Sequence, residues 1–251
     1  MSSLRLCATS LVVSGLMLWD LSAQAQLIPD QSLGGESSII STDRAVRGEL
    51  ADLIEGGATR GPNLFHSFSE FNVNDAQRVY FANPINIESI LSRVTGNNTS
   101  DIRGTLGVDG NADLFLINPN GIIFGPDVSL DIDGSFYATT AEAVEIGDGV
   151  FSAIAPQQSQ LLAINPSTSF WNYLTENSGD ITNRGQLVAG RNLVLAGNSL
   201  DLEAQLAGLG DVSLLATDTV KIRDTAETPF IAAAGTDLLV QGNEQVDIVA
   251  L

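Results

Sequence analysis

The stretch Leu193-Val194-Leu195-Ala196-Gly197-Asn198-Ser199-Leu200-Asp201-Leu202 sets apolar side chains at alternate positions, breaks at Gly197-Asn198-Ser199, then resumes the alternation. The pattern returns as Val212, Leu214, Val220 and Ile222, and again as Leu238, Val240, Val246 and Ile248. Successive segments are offset by 19 to 20 residues and then by 26. Period-two alternation belongs to strands, whose successive side chains point to opposite faces, and not to helices. A repeat of about 20 residues with turn residues between short strands is the mark of a solenoid that adds one coil per repeat. Sandwiches and propellers also use many short strands, but neither asks for this fixed register. The expected fold is therefore all-β, a parallel β-solenoid. At about 20 residues per coil and about 4.8 Å per step, the chain predicts roughly 11 coils and a rod on the order of 50 Å long. The longer 26-residue step contains Thr228-Pro229, read as a loop off one corner.

The rest of the chain agrees with that reading. Arg78-Val79-Tyr80-Phe81-Ala82 runs into Asn83-Pro84, and Asp113-Leu114-Phe115-Leu116-Ile117 runs into Asn118-Pro119, each a β-prone run closed by turn residues. Of the 251 residues, 30 are Asp or Glu and only 11 are Lys or Arg, a net charge of -19. That sign opposes phosphate binding and excludes nucleic acid as a main partner. With 44% hydrophobic residues the chain has the material for a core.

Residues 1–25 read as a signal peptide: Arg5, an apolar run from Leu11 to Leu18, then small residues at Ala23 and Ala25 that place cleavage after Ala25. The run is shorter than a membrane span and Asp20 interrupts it. Cys7, the one cysteine, leaves with this segment, so the exported chain has no disulfide, thiolate metal site or Cys nucleophile.

Asn118-Pro119-Asn120-Gly121 is a tight turn between Leu114–Ile117 and Ile122-Ile123-Phe124: Pro presets φ and Gly supplies the positive φ. Gly61-Pro62-Asn63-Leu64, followed by Phe65-His66-Ser67-Phe68, carries related turn chemistry. Together with Gln31-Ser32-Leu33-Gly34 and Leu91-Ser92-Arg93-Val94-Thr95-Gly96, these ordered blocks resemble the N-terminal secretion domain of the filamentous-haemagglutinin type, found in exoproteins of two-partner secretion. The resemblance covers residues 26–171, with residues 172–251 read as further coils continuous with it. It implies a right-handed parallel β-helix with N-terminal capping strands. It also implies recognition in the periplasm by an outer-membrane transporter of the Omp85 type, and passage, unfolded, to the surface of a Gram-negative-type bacterium. Family members commonly carry Asn-Pro-Asn-Leu and Asn-Pro-Asn-Gly; here Gly61 replaces the first Asn, which removes a side-chain cap from that turn. The candidate recognition residues are thus Asn63, Leu64, Asn118, Pro119, Asn120 and Gly121, and each also reads as a residue that merely shapes a coil corner.

Other chemistry is sparse. His66, between Phe65 and Phe68, reads as a packed corner residue, and one His without Cys does not make a zinc site. Asp109-Gly110-Asn111-Ala112-Asp113 starts like a calcium loop but lacks the Gly and Glu that would complete it. Asp131 and Asp133 could serve a polysaccharide-cleaving β-helix, yet no basic residue lies between Arg103 and Arg184, so they read as a solvated face. Lys221 is the single lysine, which argues against a groove of mixed charge. The expectation is a non-enzyme without cofactor or metal, acting as an adhesin toward host or neighbouring-cell surface glycans; the alternative is a β-helical protein that binds or cleaves polysaccharide. Val246-Asp247-Ile248-Val249-Ala250-Leu251 ends within the strand pattern and predicts either a longer exoprotein or an end capped by a partner.

Overall fold

The computed structural model describes residues 27–225 and 229–249. The signal segment with Ala23 and Ala25, and Thr228 of the corner loop, lie outside the described residues. The described chain is a parallel β-helix with three faces. The first face stacks Asn63–Phe71, Ser89–Val94, Asp113–Ile117, Phe136–Thr139, Leu193–Gly197, Val212–Ala216 and Leu238–Gly242, every neighbouring pair parallel. The second runs from Ser100–Ile102 through Ile122–Phe124, Ile181–Asn183, Leu200–Leu202 and Thr219–Arg223 to Gln245–Val249. The third comprises Glu49–Gly56, Arg78–Ala82, Thr105–Asp109 and Ser129–Asp131, and continues in Leu187–Ala189, Gln205–Gly208 and Ile231–Ala234.

The repeat that decides the fold is matched strand for strand: Leu193, Val212 and Leu238 pair in sequence on the first face, and Leu200, Val220 and Val246 on the second. Extended back through the chain, the inward ladder on the first face reads Leu64, Ile90, Leu114, Phe136, Leu193 and Val212, all buried. Alternation puts one set of side chains inside and the other outside, so a single sheet can be apolar on both sides. Here it is, because Phe65, Leu91, Phe115 and Tyr137 line the outer side and are also buried.

Two features shorten the rod. The first face has seven parallel strands, not roughly 11, and spans on the order of 30 Å. Between Phe136–Thr139 and Leu193–Gly197 the chain leaves the coil and forms the antiparallel hairpin Ala143–Ile146 with Gly149–Ser152, followed by two short 3-10 turns. This excursion lies over the outer side of the first face: Val144, Ile146, Phe151 and Phe170 complete a second apolar cluster with Phe65, Leu91, Phe115 and Tyr137. At the start, Ser38–Val46 and Glu49–Gly56 pair antiparallel, and Leu27–Pro29 pairs antiparallel with Asn63–Phe71, which caps the first coil.

Two further readings change. His66 sits within a strand, not at a corner, and points into the coil beside Phe68 and Phe81. Asp131 and Asp133 are not a solvated pair lacking cations: Arg47 from the N-terminal hairpin reaches both, at 2.5 and 2.8 Å, and Tyr80 donates its hydroxyl to Asp131 at 2.6 Å. That cation is 84 residues away in sequence, which linear inspection of the neighbourhood misses. The run from Asp109 to Asp113 is the turn it was read as, between Thr105–Asp109 and Asp113–Ile117, and Asp113 accepts the backbone N–H of Ser135 at 2.7 Å.

Candidate functional site

The candidate residues fall at two different corners. Asn63 opens its strand and aligns with Ser89 and Asp113, whereas Asn118 directly follows Ile117 at the opposite end of the first face. Five residues of strand separate those levels, about 16 Å, so the two turns do not form one site.

At the first corner, Ala58–Arg60 and Asn63–Phe71 form a hairpin whose connection is Gly61-Pro62. Gly61 has φ +57, and a Cβ there would lie 2.7 Å from the Cβ of Ala163. The glycine therefore fits a left-handed backbone and the close approach of the excursion, which accounts for the absence of a side chain at this position. Asn63 is fully buried and its amide donates to the carbonyls of Leu162 and Ile164 at 3.0 and 2.7 Å. It is thus a tether between the coil and the excursion. Leu64 is buried in the inward ladder.

At the second corner, Gly121 N–H donates to Asn118 C=O at 3.1 Å, closing the turn. Asn118 is fully buried, donating through Nδ2 to Asn98 C=O and Ser100 Oγ, both at 3.0 Å, while Oδ1 accepts the N–H of Asn120 at 3.0 Å. One side chain thus satisfies the turn and the preceding coil. Asn120 is exposed and donates to Gly96 C=O at 2.8 Å. Gly121 has φ +116, with Asp180 C=O 3.0 Å from where a Cβ would be. Pro119 accepts the N–H of Gly179 at 2.7 Å, so the turn is held from both neighbouring coils.

Beside this corner lies a groove of about 190 Å³ between Val94–Asn97, Pro119-Asn120 and Ala153-Ile154. Ile154 is 60% exposed at its edge. Under the groove sits a residue that the motif reading did not single out. Arg93 is fully buried and donates to Ser67 Oγ, Ser152 C=O, Ser159 Oγ and Ser32 Oγ at 2.6 to 2.9 Å, with its guanidinium 4.3 Å over the Phe151 ring. Burial pulls its pKa down to about 10, opposed by the charge of Asp30. Asp30 accepts from Ser32, Ser67 and Thr95; burial alone would raise its pKa, and these hydrogen bonds hold it below the ordinary value. The blocks Gln31–Gly34, Gly61–Phe68 and Leu91–Gly96 therefore meet at one guanidinium, joined there by the excursion. The signal for this was the excess length between Phe136 and Leu193 over a normal coil, with an arginine in a strand otherwise built of Ile, Leu, Ser and Val.

These features define an exterior-decorated, capped β-helix of the kind that carries secretion domains. A family model, the TPS secretion domain, matches residues 25–246, and the chain belongs to that family, the two-partner secretion domains. Over 87 residues it is 31% identical to a heme/hemopexin-binding protein of Haemophilus influenzae, a match that takes in 35% of this chain and 9% of that protein. Among solved structures, the HMW1 secretion domain from Haemophilus influenzae is 16% identical with TM-score 0.49, over 82% of this chain and 63% of the other. The filamentous hemagglutinin secretion domain is 14% identical with TM-score 0.41, over 88% and 96%.

Proposed function

We propose that this chain addresses an exoprotein to an outer-membrane transporter of the Omp85 type, which passes it unfolded from the periplasm to the surface of a Gram-negative-type bacterium. The family match over residues 25–246 carries this reading, since it takes in both corner turns and most of the coil stack. The folded coil hides the amides of Asn63 and Asn118. Recognition through them therefore belongs to the chain before its coils close, while Asn120 and the Ile154 groove remain available afterwards. At the surface the protein acts as an adhesin and not as an enzyme. The neutralisation of Asp131 and Asp133 by Arg47 supports the second part, because a carboxylate pair used for glycoside cleavage needs one member free to protonate and one free to attack.

The test is export into the medium, measured with and without the transporter, for the wild type, Asn118→Ala and Asn63→Ala. Transporter-dependent appearance that both substitutions reduce at least tenfold is the expected result. Equal export without the transporter would overturn the reading. Normal export of both variants, with only lowered stability, would leave those two turns as coil-shaping devices and take them out of recognition.

A further inference from the structure

The inner side chains of the first face stack in columns, rung on rung. One column is the apolar ladder from Leu64 to Val212. The next reads His66, Ser92, Leu116, Ala138, Leu195, Leu214 and Val240, so only its first two rungs are polar. Both are fully buried. The His66 ring lies beside Phe68 and Phe81 and against Gly57, where a Cβ would come within 2.8 Å of Cε1. Its Nδ1 is 3.0 Å from Ser38 Oγ, but Nε2 has no partner, whichever nitrogen carries the proton. Ser92 Oγ has none either. Among the described residues, the buried side-chain atoms that lack a hydrogen bond are these two and Oδ1 of Asn63, and all three lie on Asn63–Phe71 and Ser89–Val94. A later coil treats such a group differently: Asn183, in register with Phe124 and Leu202 of the core, donates to the carbonyls of Gly185 and Glu203 at 2.8 Å.

A buried polar group without a partner has given up water for nothing, and the cost falls on the state that buries it. In a solenoid, stability is set repeat by repeat, so this cost weakens the first two rungs and leaves the later coils untouched. We propose that this polar seam keeps the first coil weakly closed, so that it opens ahead of the rest of the stack and the strands holding Asn63 and Ser92 reach the transporter extended. Opening there uncovers Asn63, whose amide the folded coil hides. The Arg93 joint offsets the seam only once Ser152 and Ser159 of the excursion are in place. The inference rests on the reading above that the transporter takes the chain unfolded.

The experiment is native-state hydrogen exchange of the folded chain, read at the amides of residues 64–68 and 90–94 against those of residues 195–196 and 214–215, followed by export of the same variants. In the wild type the first set should exchange faster than the second. Ser92→Ala and His66→Leu should each lower the opening constant of the first set at least fivefold and leave the second set unchanged. Ser92→Ala deletes a single oxygen, so it carries the test even where the leucine is crowded against Gly57. With both substitutions, transporter-dependent export should fall at least threefold. Adding Ile90→Val, which takes one methyl from the same coil, should return exchange and export together toward wild type. Opening that is unchanged or faster in Ser92→Ala overturns the proposal, because the oxygen is then satisfied in the fold. So does slowed opening with normal export, or exchange that Ile90→Val restores while export stays low, which would mean that the transporter reads the two side chains directly. Each of these leaves the secretion reading standing. Export that needs no transporter removes that reading, and this inference with it, whatever the exchange shows.

Discussion

Asn118 shows how much one amide can organise. Replacing it with Ala leaves Asn98 C=O, Ser100 Oγ and the Asn120 N–H without their partner inside a corner. An unsatisfied buried group costs about 1–3 kcal/mol, so Asn118→Ala should lower the urea midpoint of unfolding by an amount in that range or somewhat above it. A change below about 0.5 kcal/mol would show that the turn is set by its backbone alone. Gly61→Ala should also destabilise, through φ +57 and the contact with Ala163; Ala163→Gly in the same chain should recover the steric part, and a double-mutant cycle measures how much. His66 adds a pH dependence. Burial lowers its pKa to about 3, with Nδ1 3.0 Å from Ser38 Oγ, so it is neutral in the fold and protonates near 6.5 once unfolded. A depressed histidine pKa gives stability that is complete above about 6.5 and is lost as pH falls toward 3, at about 1.4 kcal/mol per unit. The depressed carboxyl of Asp30 contributes only above its ordinary value of 3.8 and is lost below that, so between pH 7 and 5 the decline belongs to His66. Urea midpoints at pH 7, 6 and 5 should fall for the wild type and stay level for His66→Leu.

Among the elements, the excursion and the turn after the N-terminal strand are joined to the coil by Arg93. Arg93→Met should cost about 3 kcal/mol or more, because four oxygens lose a fork of N–H groups, and Arg93→Lys should rescue little, since an ammonium cannot reach partners set around a planar guanidinium. If Arg93→Lys unfolds at the wild-type midpoint, charge alone holds the joint. This joint also marks where the sequence stops being readable. From Leu193 onward the strands of the first two faces were legible, down to the offsets of 19, 20 and 26, because a coil repeats one local rule: alternate, turn, alternate; the third-face strands Gln205–Gly208 and Ile231–Ala234, rich in Ala and Gly, were not. The excursion was not, because an antiparallel hairpin laid on the outside of a sheet obeys the same alternation and differs only in what it pairs with. The corner turns were visible as turns, but that Asn63 would reach Leu162 and Ile164, or that Arg47 would close on Asp131 and Asp133, depends on pairings across 80 to 100 residues that no local pattern encodes.

For the whole molecule, the net charge of -19 sits on a short stack of seven coils, so self-repulsion works against the folded state. Raising NaCl from about 10 mM to about 500 mM shortens the Debye length from about 30 Å to under 10 Å and should raise the urea midpoint. The exposed ion pairs such as Arg60 with Glu36 weaken under the same change, but pairs held in water contribute little to stability. A midpoint that falls with salt would mean that the local pairs outweigh the global field.

The Arg93 joint has a further consequence, in the order of events. Its partners include Ser32 near one end of the described chain and Ser152 and Ser159 more than a hundred positions further along, so the joint closes only when both segments have come together. Until then the early strands can pair, but the guanidinium lacks its Ser152 and Ser159 partners and the outer faces of Phe65 and Leu91 stay uncovered. The joint is a clasp of late closure: it is complete only when the excursion has reached the first coil.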